Sequence, residues 1–394
     1  MSAKNSEEPE SNFTPGNKVV LIRGGKPYFD AALNLIENAQ EIIHLQTYIF
    51  ENDETGQAIG QALIRAANRK VQIYLLVDGY ASQHLDLLWI RSLEKVGIHF
   101  RFFEPLFKSK YHYFGRRLHH KILAVDSRQA LVGGINISNH YNDFPGKPAW
   151  LDFALRVEGP VVGELFVLCS KTWNGFSKVF RKISDGKMKA DQETEIGKGS
   201  LIRMRRNDWV RGKNQVSKSY REILLSAKSE VLIVCSYFLP GKKFKGLISN
   251  AIKRNVKIKL VLAGPSDVGV AKQAERHIYR WILKQGVELY EYKPSILHAK
   301  MAMADSRWMT LGSFNVNDIS ALASIELNLD VRDPAFVLSV RQKVESIIQK
   351  DCIRITEKSY SANTHFLQRL WQDVCYETVK LLIFLFTFYF RQKE

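Results

Sequence analysis

The sequence predicts an α/β protein built as two duplicated halves, each a largely buried sheet flanked by helices. Three observations carry this prediction. Short apolar, β-rich runs alternate with amphipathic helical ones. The same order of runs occurs twice along the chain. Apolar residues at 45% and charged residues at 25% are ordinary globular values, which exclude a disordered, collagen-like or polytopic membrane chain. The 394 residues suit two or three domains of about 150 each, or two halves of one large unit.

Taken in order, residues 1–16 are polar and acidic and are expected to be disordered, with neither a signal peptide nor an N-terminal anchor. The first half, 17–181, opens with a helix-like stretch at 29–40 and the apolar strand EIIHLQTYIF at 41–50. A helical run at 56–70 then leads into the strand VQIYLLVDG at 71–79. The second half, 201–355, repeats this order: YREILLSAKSE into VLIVCSYFLP (231–240), then FKGLISNAIKRN into VKIKLVLAG (256–264). Tyr48 and Tyr237 fall 189 residues apart, and so do Gly97 and Gly286; equal offsets at such separated points argue for duplication. A polar Gly/Lys/Glu-rich stretch, 182–200, is the expected linker. Residues 356–394 form the remaining tail. Its run LLIFLFTFYF (381–390), between Lys380 and Arg391, spans only about 15 Å as a helix, about half of a bilayer core. An apolar, aromatic segment with basic flanks suits shallow insertion beside anionic headgroups, so the tail is expected to associate with membranes.

The formal charge of +17 asks for an acidic partner: nucleic acid, an anionic membrane or a phosphorylated substrate. The cations cluster at Lys108, Lys110, Arg116 and Arg117, at Arg203, Arg205, Arg206, Arg211 and Lys213, and at Lys242, Lys243 and Lys245. Together these are expected to form a positive field. The first cluster, in FKSKYHYFGRRL, reads as a headgroup-side lip because aromatics accompany its cations. Four scattered cysteines, without metal-ligand spacing, point to a reducing compartment rather than a disulfide scaffold or zinc module.

The chemistry sits at matching places. His119, Lys121 and Asp126 are followed by Gly133, Gly134 and Asn136; His298, Lys300 and Asp305 are followed by Gly312, Ser313 and Asn315. Both strings read HxKxxxxD-x6-G[GS]xN. On a strand, residues i and i+2 share a face, so each histidine stands beside its lysine. The glycines permit a tight turn or a close phosphate approach. A phosphodiester needs a nucleophile, an acid for the leaving alkoxide, and cations for the phosphoryl oxygens. A neutral histidine can attack phosphorus and a protonated one can serve the leaving group. Two lysines and the asparagine amides then hold the developing charge, as a metal otherwise would. Each half supplies one histidine and one lysine, and a complete site needs both.

These motifs resemble the HKD motifs of the phospholipase D superfamily, and the resemblance runs from about residue 18 to 355. Within it the sequence is most similar to bacterial cardiolipin synthases of the form without N-terminal transmembrane helices. The agreement lies in TYIFENDETG (47–56), GGINISNHYND (133–143), the step from Trp150 to Asp152, SYFLP (236–240), EYKPSILHAK and GSFNVNDISALASIELN (312–328). The resemblance implies two pseudo-twofold-related halves with both motifs at their interface. It implies cofactor- and metal-independent phosphatidyl transfer through a phosphohistidine, with phosphatidylglycerol as donor and acceptor. Its catalytic set would be His119, Lys121, Asp126, His298, Lys300 and Asp305, with the aspartates holding strand and loop geometry. His119 would be the nucleophile and His298 the acid, although the string itself is symmetric. Asn136, Asn315 and Ser313 would bind phosphate, with Gly134 leaving the first half one hydroxyl short. Glu326 would orient a catalytic histidine, and Asp152 would be its first-half counterpart. The implied setting is the cytoplasmic face of the cell membrane, with anionic phospholipid and no nucleic acid as partner. A superfamily nuclease or phosphodiesterase is the alternative, since its chemistry is identical up to the phosphohistidine and the charge would suit DNA.

Overall fold

The structure, a computed structural model, describes residues 13–105, 116–175, 199–317, 320–321, 324–362 and 364–391, with side chains as far as Leu385. Residues 1–12, Lys108 and Lys110 of the aromatic-basic loop, and 182–198 of the expected linker lie outside the described residues. The first half contains strands β1 (Thr14–Arg23), β2 (Ile42–Thr47), β3 (Gln72–Asp78), β4 (His99–Phe103), β5 (Arg117–Leu118), β6 (Lys121–Val125), β7 (Gln129–Gly133) and β8 (Phe153–Glu158). Its helices are α1 (Lys26–Glu37), α2 (Glu54–Asn68), α3 (Leu87–Lys95) and α4 (Pro160–Trp173). The second half contains β9 (Ser200–Asp208), β10 (Lys213–Asn214), β11 (Glu230–Cys235), β12 (Lys257–Ala263), β13 (Glu288–Tyr292), β14 (Met301–Ala304), β15 (Trp308–Gly312), β16 (Ser324–Arg332) and β17 (Cys352–Ile355). With them run α5 (Gln215–Ser226), α6 (Lys242–Lys253), α7 (Gly269–Lys284), α8 (Pro334–Asp351), α9 (Glu357–Ala362) and α10 (Phe366–Arg391).

The duplication is visible in the strand order. In the first half it runs β4-β3-β2-β6-β7-β8-β1, parallel from β4 to β2 and antiparallel thereafter. In the second half β13-β12-β11-β14-β15-β16-β9 repeats it with the same directions, and β17 is added at the outer edge. The halves join where β1 pairs with β9, Thr14 opposite Ile202 and Asn17 opposite Ser200. That pairing explains why β1 begins at Thr14, inside the stretch expected to be disordered, and why β9 begins at Ser200, inside the expected linker. Strand β2 ends at Thr47, sooner than the apolar run suggests, because the chain turns toward the site and Phe50 bridges Ile137 instead.

Parallel strands covered on both faces must be apolar throughout, which is why β2, β3, β11 and β12 read as continuous hydrophobic runs. Helices α1, α2 and α3 close one face of the first sheet, and α5, α6 and α7 close one face of the second. A third cluster lies between the halves, where Val161 and Leu165 of α4 and Val337 and Val340 of α8 meet residues of both sheets. Each fully buried Leu or Val there contributes about 1.5–3 kcal/mol of transfer free energy, so the halves are held as one unit.

The tail forms α9 and α10 rather than a separate ten-residue insert. Helix α10 packs along α7, burying Gln372, Cys375 and Ile383. It leaves Leu367, Trp371, Val374, Leu381 and Leu385 exposed at helical spacing, one apolar stripe on its outer side. No helix among the described residues is long and apolar enough to cross a membrane.

Candidate active site

Two short parallel contacts between the halves build the site. Leu118 of β5 pairs with Ile325 of β16, and the His119 amide donates to the Ile325 carbonyl at 3.0 Å. Leu151 bridges Leu297, and the His298 and Ala299 amides both donate to the Leu151 carbonyl, at 2.8 and 3.0 Å. Each histidine is thereby aligned with the residue preceding a carboxylate of the opposite half. The side chains follow the backbone. His119 Nδ1 lies 2.8 Å from Glu326 Oε2, and His298 Nδ1 lies 2.7 Å from Asp152 Oδ2. The carboxylates thus orient histidines crosswise, each serving the other half's motif.

The lysines lie beneath the imidazoles. Lys121 Nζ donates to the His119 carbonyl at 2.7 Å and sits 5.2 Å from the Tyr48 ring centroid. Lys300 Nζ donates to the His298 carbonyl and lies 3.0 Å from His298 Nδ1. Burial dominates the electrostatics. It pushes Lys121 down to about 7, with Glu326 opposing and Lys300 assisting, and it lowers Lys300 as well. His119 is lowered by burial against the pull of Glu326. His298 is lowered further, by burial and then by the charges of Lys300, Lys121 and His119. Burial raises Asp152 to about 7. Burial thus works against charge on either partner of this hydrogen-bonded pair.

Three sequence expectations change here, and a fourth does not. Ser313 was expected at the phosphate, but its hydroxyl donates to Glu326 Oε2 at 2.5 Å and is fully buried, so it positions that carboxylate. The matching Gly134 is no lost phosphate donor. A Cβ there would lie 2.5 Å from Asp152 Oδ2, so glycine makes room for the shorter carboxylate. Asn136 was also expected to bind phosphate. Its Oδ1 accepts from the Ile49 amide at 3.1 Å and its Nδ2 donates to the Tyr141 hydroxyl at 2.8 Å, so both ends are engaged. Asn315 differs: Oδ1 accepts from Ser236 Oγ at 2.7 Å, and no partner for Nδ2 occurs among the described residues.

Asp126 and Asp305, grouped with the catalytic set, lie at the far ends of β6 and β14. Five residues at about 3.3 Å each separate Asp126 from Lys121. Both aspartates open hairpins with consecutive positive φ, 53° and 53° at Asp126 and Ser127, 50° and 52° at Asp305 and Ser306. Asp126 accepts from the Gln40, Glu41 and Ile42 amides, and Asp305 from those of Lys228, Ser229 and Glu230. They tie hairpins to the starts of β2 and β11, the geometric duty the sequence suggested for them. Gly133 and Gly312 serve neither a turn nor a phosphate; a Cβ there would strike the Phe153 and Leu327 carbonyls of the neighbouring strands, at 2.5 and 2.0 Å.

The expected field of cations is partly internal where it is described, although Arg211, Lys213, Lys242 and Lys243 are exposed. Arg203 and Arg205 bind Asp330 and Glu222 beneath the sheet, and Arg206 binds Asp208. Arg116 pairs with Asp208 at 2.9 Å, and Arg117 donates to the Glu104 carbonyl, so these two do not form a headgroup lip.

Sequence reasoning also missed several residues. Asp78 is buried and accepts from the Leu118 amide at 2.8 Å, fixing the residue before His119. Tyr48 stacks edge-on to His119 at 4.9 Å, and Tyr141 places its hydroxyl 3.3 Å from His298 Nε2. Tyr48 was legible as a repeat marker at the end of a central parallel strand, where such folds place their sites. Tyr141 lay inside a quoted run, but nothing in the string signals its reach into the other half.

The fold and its paired motifs define a phospholipase D-like protein of two halves. The family model described as "Cardiolipin synthase, PLD-like domain" matches residues 32–144 and 220–348, one segment per half, and the chain belongs to that family. It is 32% identical to Cardiolipin synthase B of Escherichia coli (strain K12) over 96% of this chain and 90% of that one. It is 27% identical to Cardiolipin synthase 1 of Bacillus anthracis over 87% of this chain and 68% of that one. Among solved structures, phosphatidylserine synthase of Haemophilus influenzae Rd KW20 superposes with a TM-score of 0.73 over 95% of this chain and 96% of its own. Polyphosphate kinase of Porphyromonas gingivalis superposes with 0.58 over 93% and 53%. At 14% and 15% identity these two speak for the fold alone.

Proposed function

We propose that the protein is a cardiolipin synthase-type phosphatidyltransferase, moving a phosphatidyl group between two phosphatidylglycerol molecules with release of glycerol. The observation that carries this reading is the crossed pair of histidine–carboxylate contacts, which puts an imidazole from each half over two buried lysines. The two imidazoles are not equivalent. With Nδ1–H donated to Glu326, His119 keeps a lone pair on Nε2, has no side-chain partner there among the described residues, and is 16% exposed against 8% for His298. His119 is therefore the nucleophile. Its Nε2 bonds to phosphorus, the bond from phosphorus to the glycerol oxygen breaks, and that oxygen takes a proton from His298. Arrival of the phosphodiester anion offsets the lysine charges that depress His298, so the Asp152–His298 pair gains the proton it must donate. In the second step the acceptor hydroxyl gives its proton back to His298 and attacks phosphorus. The P–N bond breaks, and its electron pair returns to His119. Lys121, Lys300 and the Asn315 amide hold the non-bridging oxygens, while Glu326 balances the positive charge on phosphorylated His119.

The exposed stripe of α10 suits peripheral attachment to an anionic membrane, and the net charge of +17 favours it. Four free cysteines fit the cytoplasmic side. Purified protein mixed with detergent-dispersed phosphatidylglycerol, without added metal, is expected to yield cardiolipin and glycerol, and His119→Ala or His298→Ala to abolish both. Near-normal activity in either variant refutes the mechanism. Cleavage of DNA without any lipid product would establish the nuclease alternative.

A further inference from the structure

The engagement of Asn136 defines a proton arrangement that reaches into the reaction. The Ile49 amide can only donate, so Asn136 Oδ1 is the acceptor, at 3.1 Å, and its Nδ2 faces Tyr141. Nδ2 can only donate, so the Tyr141 oxygen accepts at 2.8 Å, which leaves its own proton available to His298 Nε2, 3.3 Å away. His298 Nε2 is then an acceptor, and the ring proton lies on Nδ1, facing Asp152 Oδ2 at 2.7 Å; Lys300 Nζ, 3.0 Å from Nδ1, then spends its donor on the His298 carbonyl and not on the ring. The Phe153 amide closes the chain by donating to Asp152 Oδ1 at 2.7 Å. The Ile49 amide sets the direction at one end, and the Phe153 amide holds Asp152 in place at the other. Burial keeps the phenol firmly protonated, holding Tyr141 far above the ordinary tyrosine range. Tyr141 and Trp150 also pack against the His298 ring, with centroids at 5.1 and 5.9 Å. In the second motif the residue at the matching spacing is Ser320, so the device serves His298 alone.

We propose that Tyr141 is a positioning residue that holds His298 in the Nδ1–H tautomer and covers its Nε2, so that an acceptor lipid, rather than water, reaches the base. After the first step, His298 is a neutral base facing the phosphohistidine. Water bound at its Nε2 would be activated and would release phosphatidic acid. The phenol occupies that position, and Asn136 anchors it. The glycerol hydroxyl of an acceptor lipid, held by the binding energy of its chains, displaces the phenol, gives its proton to Nε2 and takes the phosphatidyl group. Free water has no such binding energy to spend.

The proposal rests on His298 serving as acid and base, and its two readouts separate that premise from the claim about Tyr141. With ¹⁵N-histidine-labelled full-length protein, and His298→Gln to assign the signal, NMR is expected to show His298 as the Nδ1–H tautomer in the wild type. In Tyr141→Phe the signal is expected to move toward the Nε2–H form. An Nε2–H wild type, or an Nδ1–H tautomer unaltered in Tyr141→Phe, overturns the proposal whatever the enzyme's activity. With phosphatidylglycerol micelles, Tyr141→Phe is expected to raise the ratio of phosphatidic acid to cardiolipin roughly tenfold, the worth of one buried hydrogen bond. A slower variant with an unchanged product ratio has lost only structural support, and that result overturns the proposal too. A wild type that makes no cardiolipin refutes the transferase reading and leaves the NMR test of Tyr141 intact.

Discussion

Replacing Glu326 with glutamine separates charge from orientation at His119. Glu326 Oε2 receives both His119 Nδ1, at 2.8 Å, and the Ser313 hydroxyl, at 2.5 Å, whereas Oε1 is buried without a partner. In Glu326→Gln the amide oxygen takes the Oε2 position because two donors converge there, so the Nδ1–H tautomer and the ring orientation persist. What is lost is a negative charge beside the imidazole that, in the proposed mechanism, becomes positive on phosphorylation. A unit charge near 5 Å at an effective dielectric of 20 is worth about 3 kcal/mol, so kcat is expected to fall roughly a hundredfold. Adding Ser313→Ala removes the second donor. The amide can then flip, present NH₂ to Nδ1 and force the wrong tautomer, a change that in Ser-His-Asp enzymes lowers kcat about ten-thousandfold. The assay is initial-rate cardiolipin formation from micellar phosphatidylglycerol, with single-turnover trapping to follow the first step. If Glu326→Gln loses less than a few fold, or if Ser313→Ala does not deepen its loss, the assignment of these roles is wrong.

Other expectations follow from the same geometry. Lys121, pushed down to about 7 by burial, carries its charge below that pH and loses it above, so kcat/KM should decline as pH rises through about 7. Lys121→Arg should flatten that alkaline limb even if its rate is lower, and an unchanged limb would show that another group titrates there. Gly134→Ala should drive Asp152 off His298, its Cβ falling 2.5 Å from the carboxylate, and cut kcat at least about a hundredfold. Normal turnover in that variant would contradict the crosswise assignment. Asp126→Ala and Asp305→Ala should each cost about 2–3 kcal/mol of stability in urea unfolding, with kcat of the folded fraction nearly unchanged. The Asp305 carboxyl is held below its usual range by these backbone donors, so its contribution is present above about pH 4 and fades as pH falls through the lowered value. Leu381→Glu with Leu385→Glu should release the protein from anionic vesicles in a flotation assay; continued flotation would remove α10 as the attachment face.

The repeat and the two motifs were legible because duplication leaves equal spacings, and because the strand period places His119 with Lys121, and His298 with Lys300. The crossing of Glu326 to His119 and Asp152 to His298 was not. It depends on the parallel contacts of Leu118 with Ile325 and of Leu151 with Leu297, registers between distant segments that no local pattern encodes. Asn136 and Asn315 occupy identical places in the string, yet Tyr141 absorbs one and leaves the other's amide donor unengaged among the described residues. Counting cations misread Arg203 and Arg205 for a related reason. Their partner Asp330 arrives from β16, more than a hundred residues later, by antiparallel pairing with β9.

The central claim is an asymmetry between two histidines that the motifs alone make equivalent. Acid-free quenching of the enzyme with ³²P-labelled phosphatidylglycerol, followed by peptide mapping, tests it directly. The label is expected on His119, to persist in His298→Ala and to vanish in His119→Ala. Label recovered on His298, or no covalent adduct under single-turnover conditions that yield cardiolipin, would contradict it.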